Sequence, residues 1–232
     1  MAEVIAFTSG KGGMGKTVLC AAIGISLACS GHSVLCIDCN DVMGDLIAYL
    51  GVSQMQCLNY EEVCRGHYSL RQATHSHYGL QVLASPNRKS DVTEAEMAAL
   101  LQTARQEYDY ILLDDPAFPL ADRWVVVTQP NPAAIRGASR RADALDLQGA
   151  TNVRLIVNAI DPKQMAALGL NVDDVMDRVG LPLLGIVPVD PGFTKACASS
   201  LLIYTGRRRT VQAVDRIAGR IQGIQTAVPS RL

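Results

Sequence analysis

The segment Gly10-Lys11-Gly12-Gly13-Met14-Gly15-Lys16-Thr17 has residue types and a spacing suited to holding a row of phosphates. It matches G-x-x-x-x-G-K-[ST], follows a strand-like run and opens a helix near Lys16, the setting that separates a true phosphate loop from a chance match. Its glycines let backbone N–H groups turn inward around phosphate oxygens with no Cβ in the way. The helix N-terminus adds a partial positive charge. Lys16 is expected to reach the β- and γ-phosphates of ATP, or the β-phosphate of ADP, and the Thr17 hydroxyl to ligate Mg²⁺. The nucleotide-touching set expected here is Gly10, Gly12, Gly13, Met14, Gly15, Lys16, Thr17 and Val18. Two apolar runs, Val34–Asp38 and Tyr110–Asp114, end in carboxylates that could manage magnesium beside such a loop.

The elements that must place these groups alternate along the chain. Strand candidates are Val4–Thr8, Val34–Asp38, Leu80–Ala84, Tyr110–Asp114, Trp124–Thr128, Arg154–Asn158 and Leu183–Val187. Most are continuous apolar runs, as strands covered on both faces require. Between them lie helix candidates Lys16–Cys29, Thr93–Gln106, Ala133–Leu147 and Val172–Val179, with two more near the C-terminus. Asp91 and Thr93 are candidate caps for the second helix, and Glu94 and Glu96 favour its dipole. This alternation reads as α/β, a P-loop NTPase three-layer αβα sandwich around a mostly parallel twisted sheet, with residues 1–232 as one domain.

Composition narrows the partners. A formal net charge of −1 gives no whole-chain electrostatic footprint for nucleic acid. No apolar run is long enough to span a bilayer, and no basic leader precedes the first strand, so a cytoplasmic setting is expected. Seven cysteines, an odd number, fit reduced thiols. Cys36 and Cys39 have metal-like spacing but fall in a buried strand, where residues three apart diverge; two core thiols are the simpler reading.

With Lys11 inside the loop, Lys-Gly-Gly-Met-Gly-Lys-Thr resembles the deviant Walker A motif of the MinD/ParA group of P-loop ATPases. The likeness continues through Asp114-Asp115-Pro116-Ala117, which is similar to the group's Walker B strand and its D-x-P-A extension. It runs on through Ala121-Asp122-Arg123-Trp124-Val125-Val126-Val127-Thr128-Gln129-Pro130, Leu155-Ile156-Val157-Asn158 and Leu183–Asp190, and is closer to the MinD branch than to plasmid ParA. The resemblance implies an ATP hydrolase acting as a switch: two subunits sandwich ATP, recruit a regulator or cargo protein, and take part in cell-division site selection or related positioning. It implies that Lys11 reaches the opposite subunit's ATP; from residue type alone, Lys11 could equally serve its own phosphates or be solvated. It implies that Asp114 holds the metal through Thr17 or a magnesium-bound water, that Asp38 assists metal and catalysis, and that Asn158, Pro188, Val189 and Asp190 surround the adenine.

Three departures shape the expectation. The group's D-x-D strand end reads Asp38-Cys39-Asn40 here, so the acid associated with the attacking water falls on Asn40. An amide can orient a water but cannot take its proton, so slow turnover is expected, with a non-hydrolysing nucleotide scaffold as the alternative. Asp41 faces the other way in extended backbone. Only Phe118-Pro119-Leu120 joins the Walker B extension to Ala121, where MinD proteins carry a longer loop. The C-terminal stripe Val211, Val214, Ile217, Ala218, Ile221 and Ile224 has helical spacing and is expected to pack on the sheet rather than enter lipid. Arg207, Arg208 and Arg209, by default solvated, are the candidates for touching DNA, as a ParA-like positioning ATPase would, or for a peripheral place at the inner face of the membrane.

Overall fold

The computed structural model describes residues 2–41, 44–51, 57–86, 88–193 and 208–226. Its strands are β1 (Glu3–Thr8), β2 (Val34–Asp38), β3 (His75–His77), β4 (Leu80–Leu83), β5 (Tyr110–Asp114), β6 (Arg123–Thr128), β7 (Val153–Ile160) and β8 (Leu183–Pro188). They form one sheet in the order β3-β4-β2-β5-β1-β6-β7-β8, parallel everywhere except the β3–β4 pair. β1 therefore lies between β5 and β6, and its C-terminal end opens at the middle of the sheet, where ligands bind in folds of this kind.

Period-2 alternation sends β1 side chains to both faces. Ile5 and Phe7 join the core under α1 (Lys16–Cys29), whereas Val4 and Ala6 join the core under α5 (Glu94–Ala104) and α6 (Pro132–Leu147). The same two cores take α2 (Asp45–Tyr49) on the first side, and α3 (Tyr60–Cys64), α4 (Leu70–Ala73), α7 (Pro162–Ala167) and α8 (Val172–Val179) on the second. The outcome is the three-layer sandwich expected from the alternation.

The α1 and α8 bounds agree with the sequence reading, and α5 starts after Thr93, whose hydroxyl accepts from Glu96 N while the Glu96 carboxylate accepts from Thr93 N. Asp91 pairs instead with Arg65. β3 escaped the reading because His-Ser-His has no apolar pattern; it is fixed by the Tyr78-Gly79 turn, with φ of 50° and 81°, which folds it back onto β4. The last described helix, α9 (Arg208–Ile221), lays Val214, Ile217, Ala218 and Ile221 into the α1-side core. Those four residues of the expected stripe are committed to packing, while Val211 is half-buried. Ile224 lies beyond the helix and is exposed.

Candidate functional site

The chain leaves β1 at Thr8 and turns through residues 9–15 into α1. Two glycines of this turn hold left-handed backbone, Gly13 at φ 76° and Gly15 at φ 93°. Gly10 passes so close to α6 that a Cβ there would lie 2.0 Å from the Gly137 carbonyl carbon. The loop is also tied down from neighbouring strands: Asn158 Nδ2 donates to the Met14 carbonyl at 2.9 Å, and Gln129 Nε2 to the Gly13 carbonyl at 3.2 Å. Preorganised amides of this kind need little reorganisation when an anion arrives.

Lys16 Nζ donates to Ser9 Oγ at 3.1 Å and pairs with Asp115 Oδ2 at 3.3 Å. Ser9 Oγ in turn donates to the Lys11 carbonyl at 2.6 Å. Lys11 itself is exposed, its stem running along Gly137. Together with Arg136, Arg140 and Arg141 it lines an open depression beside the loop, so this wall of the site is strongly electropositive.

On the other wall, register pairs Asp38 of β2 with Asp114 of β5. Both carboxylates are buried. Burial pushes Asp114 up to about 7, against a hydrogen bond from Thr17 that lowers it, with nearby Asp38 raising it further. Burial likewise pushes Asp38 up to about 6, opposed by hydrogen bonds from the Leu46 and Asn40 amides. Asp114 Oδ1 is buried without a hydrogen-bond partner. An orphaned buried oxygen, a second acid beside it and the Thr17 hydroxyl that closes the phosphate loop are the donor set a magnesium ion uses when phosphates complete its shell. The residues fit that ion.

Asn40 follows Asp38 at the strand end, half-buried, with its amide bound to Asp38 Oδ1 at 3.1 Å. Asp41 does not stand in for it: Asp41 Oδ2 accepts from Ser90 N at 2.8 Å, facing the cavity lined by Tyr60 and Phe118. Cys36 and Cys39 diverge as expected. Cys36 Sγ meets Cys20 Sγ at 3.3 Å in one core while Cys39 packs toward the other.

The adenine candidates gather at the ends of β7 and β8. Pro188 pairs with Ile160, Val189 N donates to the Ile160 carbonyl at 2.9 Å, and Val189 is 50% exposed. Asp190 is buried, accepting from Thr210 Oγ1 at 2.8 Å and from the Gly192 and Phe193 amides. Val18 is half-buried at the start of α1. Of the arginine cluster, Arg207 lies outside the described residues, the Arg208 side chain likewise, and Arg209 is exposed.

Sequence reasoning missed four supporting residues: Ser9, Asp115, Gln129 and Gly137. Asp115 sits inside a recognised motif, so its position was visible but its pairing was not. Gly137 is a helix-interior glycine, a costly choice that signals a close approach.

The profile of the CobQ/CobB/MinD/ParA nucleotide binding domain matches residues 5–203. A relative named putative septum site-determining protein MinD, from Guillardia theta, is 33% identical over 205 residues, 82% of this chain and 76% of that one. The MinC:MinD cell division protein complex of Aquifex aeolicus superposes with a TM-score of 0.86 at 27% identity, covering 98% of this chain and 99% of that chain. A MinD complexed with Mg-ADP from Pyrococcus horikoshii has the same fold, at TM-score 0.79 and 20% identity over 95% of this chain and 96% of that chain. Among the described residues, no helix is long and apolar enough to cross a membrane.

Proposed function

Because this chain belongs to the CobQ/CobB/MinD/ParA family of nucleotide-binding domains, we propose that it is a MinD-like switch ATPase acting in cell-division site placement. One observation carries this reading: Lys16 and Thr17, consecutive residues at the mouth of α1, meet two consecutive acids at the end of β5. Such a site grips a triphosphate on one side and a divalent cation on the other.

Each group then has a task. The amides of Gly10, Gly12, Gly13, Met14 and Gly15, with Val18 just inside the helix, surround the phosphates. Lys16 would neutralise the β- and γ-oxygens, and Thr17, Asp114 and Asp38 would hold magnesium, whose positive charge would offset the charge that builds on the leaving ADP. Asn158, braced on the loop, and Pro188, Val189 and Asp190 frame the base. Lys11 projects from the exposed face of the loop, which suits a reach into a second subunit's site, and the arginines beside it extend the same basic surface. Asn40 slows turnover because the amide gives up the negative charge that would hold the attacking water.

The profile match together with the packing of α9 on α1 and β8 supports one functional unit over residues 1–232. An MinC:MinD complex in Aquifex aeolicus favours a protein partner for the ATP-bound dimer here as well. With the α9 stripe spent on the core, any membrane contact needs another segment.

Calorimetric titration of Mg-ATP, followed by sedimentation with and without ATP, tests this directly. Lys16→Ala should abolish binding. Lys11→Ala should spare most binding yet lose ATP-linked dimerisation; unchanged dimerisation removes the sandwich model.

A further inference from the structure

Asn40 and Asp41 leave the site without an evident acid for the attacking water, yet a carboxylate does reach Lys16, the residue expected on the β- and γ-phosphates. In an extended strand Asp114 and Asp115 would point to opposite faces. Asp115 instead adopts φ 55°, a left-handed conformation that Asp tolerates better than most residues. That kink turns both acids onto α1, Asp114 to Thr17 and Asp115 to Lys16. Asp115 Oδ1 also accepts from Thr8 Oγ1 at 3.4 Å, and its amide donates to the Phe7 carbonyl at 2.9 Å, so the side chain is aimed by the end of β1. It remains 35% exposed, open to water.

We infer that Asp115 is the catalytic carboxylate that orients the attacking water, supplying there the negative charge that Asn40 lacks. This rests on the nucleotide reading above. Before ATP binds, Asp115 is the counter-ion of Lys16. When phosphate oxygens take the ammonium, the carboxylate is left facing the γ-phosphate at a distance set by the length of that ion pair. Two anions so placed repel unless a water lies between them, donating one hydrogen to Asp115 and presenting its lone pair to phosphorus. The water oxygen forms the new bond to the γ-phosphorus, the bond from that phosphorus to the β,γ-bridging oxygen breaks, and its electron pair leaves on ADP. The water's proton passes to a γ-phosphate oxygen, so that ATP and water give ADP and dihydrogen phosphate with no net proton held by Asp115. Positioning dominates in loose phosphoryl transfer, so a hydrogen-bond acceptor suffices.

The experiment compares wild type, Asp115→Gly, Asp115→Asn and Asn40→Asp/Asp115→Gly, reading Mg-ATP affinity by calorimetry and single-turnover phosphate release with protein in excess. Glycine accepts the positive φ; asparagine tolerates it, keeps one acceptor oxygen and serves if the glycine variant does not fold. Asp115→Gly should bind Mg-ATP as tightly as wild type or tighter, because a competing anion is gone, while release slows at least tenfold. Asp115→Asn should lose severalfold, and Asn40→Asp should restore most of what Asp115→Gly loses. Wild-type release from Asp115→Gly with tighter binding would reduce Asp115 to a counter-ion and overturn the inference. So would a loss that Asn40→Asp does not restore, or wild type that binds Mg-ATP and never releases phosphate. No heat from Mg-ATP in wild type would instead remove the nucleotide reading beneath it.

Discussion

Gly10→Ala should separate what the phosphate loop needs for folding from what it needs for its ligand. A Cβ on Gly10 would stand 2.0 Å from both the carbon and the oxygen of the Gly137 carbonyl. Those are backbone atoms of α6, so no side-chain rotation relieves the clash. Loop and helix must part by about 1 Å even to reach 3.0 Å, the closest approach real Cβ atoms tolerate. Overpacking of this size costs about 2 kcal/mol, or about 4–8 °C in melting temperature for a chain this long. The same displacement moves the amides that face phosphate and should weaken Mg-ADP at least tenfold (about 1.4 kcal/mol per decade). Gly12→Ala is the control, since nothing lies within 4 Å of a Cβ there. It should melt at or slightly above the wild-type temperature. Gly137→Ala falls between: its Cβ would sit 3.2 Å from Gly10 O and Lys11 Cγ. The contact offsets the roughly 1 kcal/mol that Ala gains over Gly inside a helix. Differential scanning calorimetry with and without Mg-ADP reads all three. Wild-type melting and binding for Gly10→Ala would refute the geometry of the loop against α6.

Two further substitutions test the frame around the site. Thr93→Ala removes the hydroxyl half of the α5 capping box, leaving the backbone N–H of residue 93 to donate to Glu96, and should cost about 1 kcal/mol in urea unfolding, with no effect on nucleotide affinity. Ile217→Ala opens a cavity between α9 and β8, where Ile217 is 1% exposed, and should cost about 2–4 kcal/mol. If Ile217→Ala left stability intact and abolished liposome binding, α9 would be a membrane element after all.

The sheet and its loop were legible because two strong local signals coincide. Continuous apolar runs mark strands covered on both faces, and the glycine pattern has few uses besides gripping phosphate. β3 was illegible because three polar residues acquire strand structure only through the turn behind them. The Lys16–Asp115 pair was illegible for a related reason. Simple alternation puts Asp114 and Asp115 on opposite faces, and only the backbone kink at Asp115 overrides it. Asn158 shows a third limit: the resemblance implies a base contact for it, and nothing in the sequence announces that its Nδ2 also braces the Met14 carbonyl, a contact between residues 144 apart in sequence.

The two buried acids make ligand binding a proton-linked event. Asp114 at about 7 and Asp38 at about 6 both stand above the ordinary carboxylate value of 3.8, so the free fold holds protons that the unfolded chain has released. Between pH 4 and pH 7 the folded state therefore binds more protons than the unfolded one, and the stability of the free protein falls as pH rises through that window. Above it the penalty is constant. Magnesium needs both acids ionised, so Mg-ATP must expel whatever protons remain. Near pH 6 that is the larger part of the pair's protons, near pH 7 a smaller part, and near pH 8.5 almost none. Binding enthalpy measured in two buffers of different ionisation heat should accordingly diverge at pH 6 and coincide at pH 8.5. Asp114→Asn should remove most of the divergence, and it should make the free protein more stable at neutral pH by relieving a buried charge. Enthalpies that agree between buffers at every pH from 6 to 8.5 would mean that these carboxylates are already ionised in the free protein, and that something other than magnesium balances them.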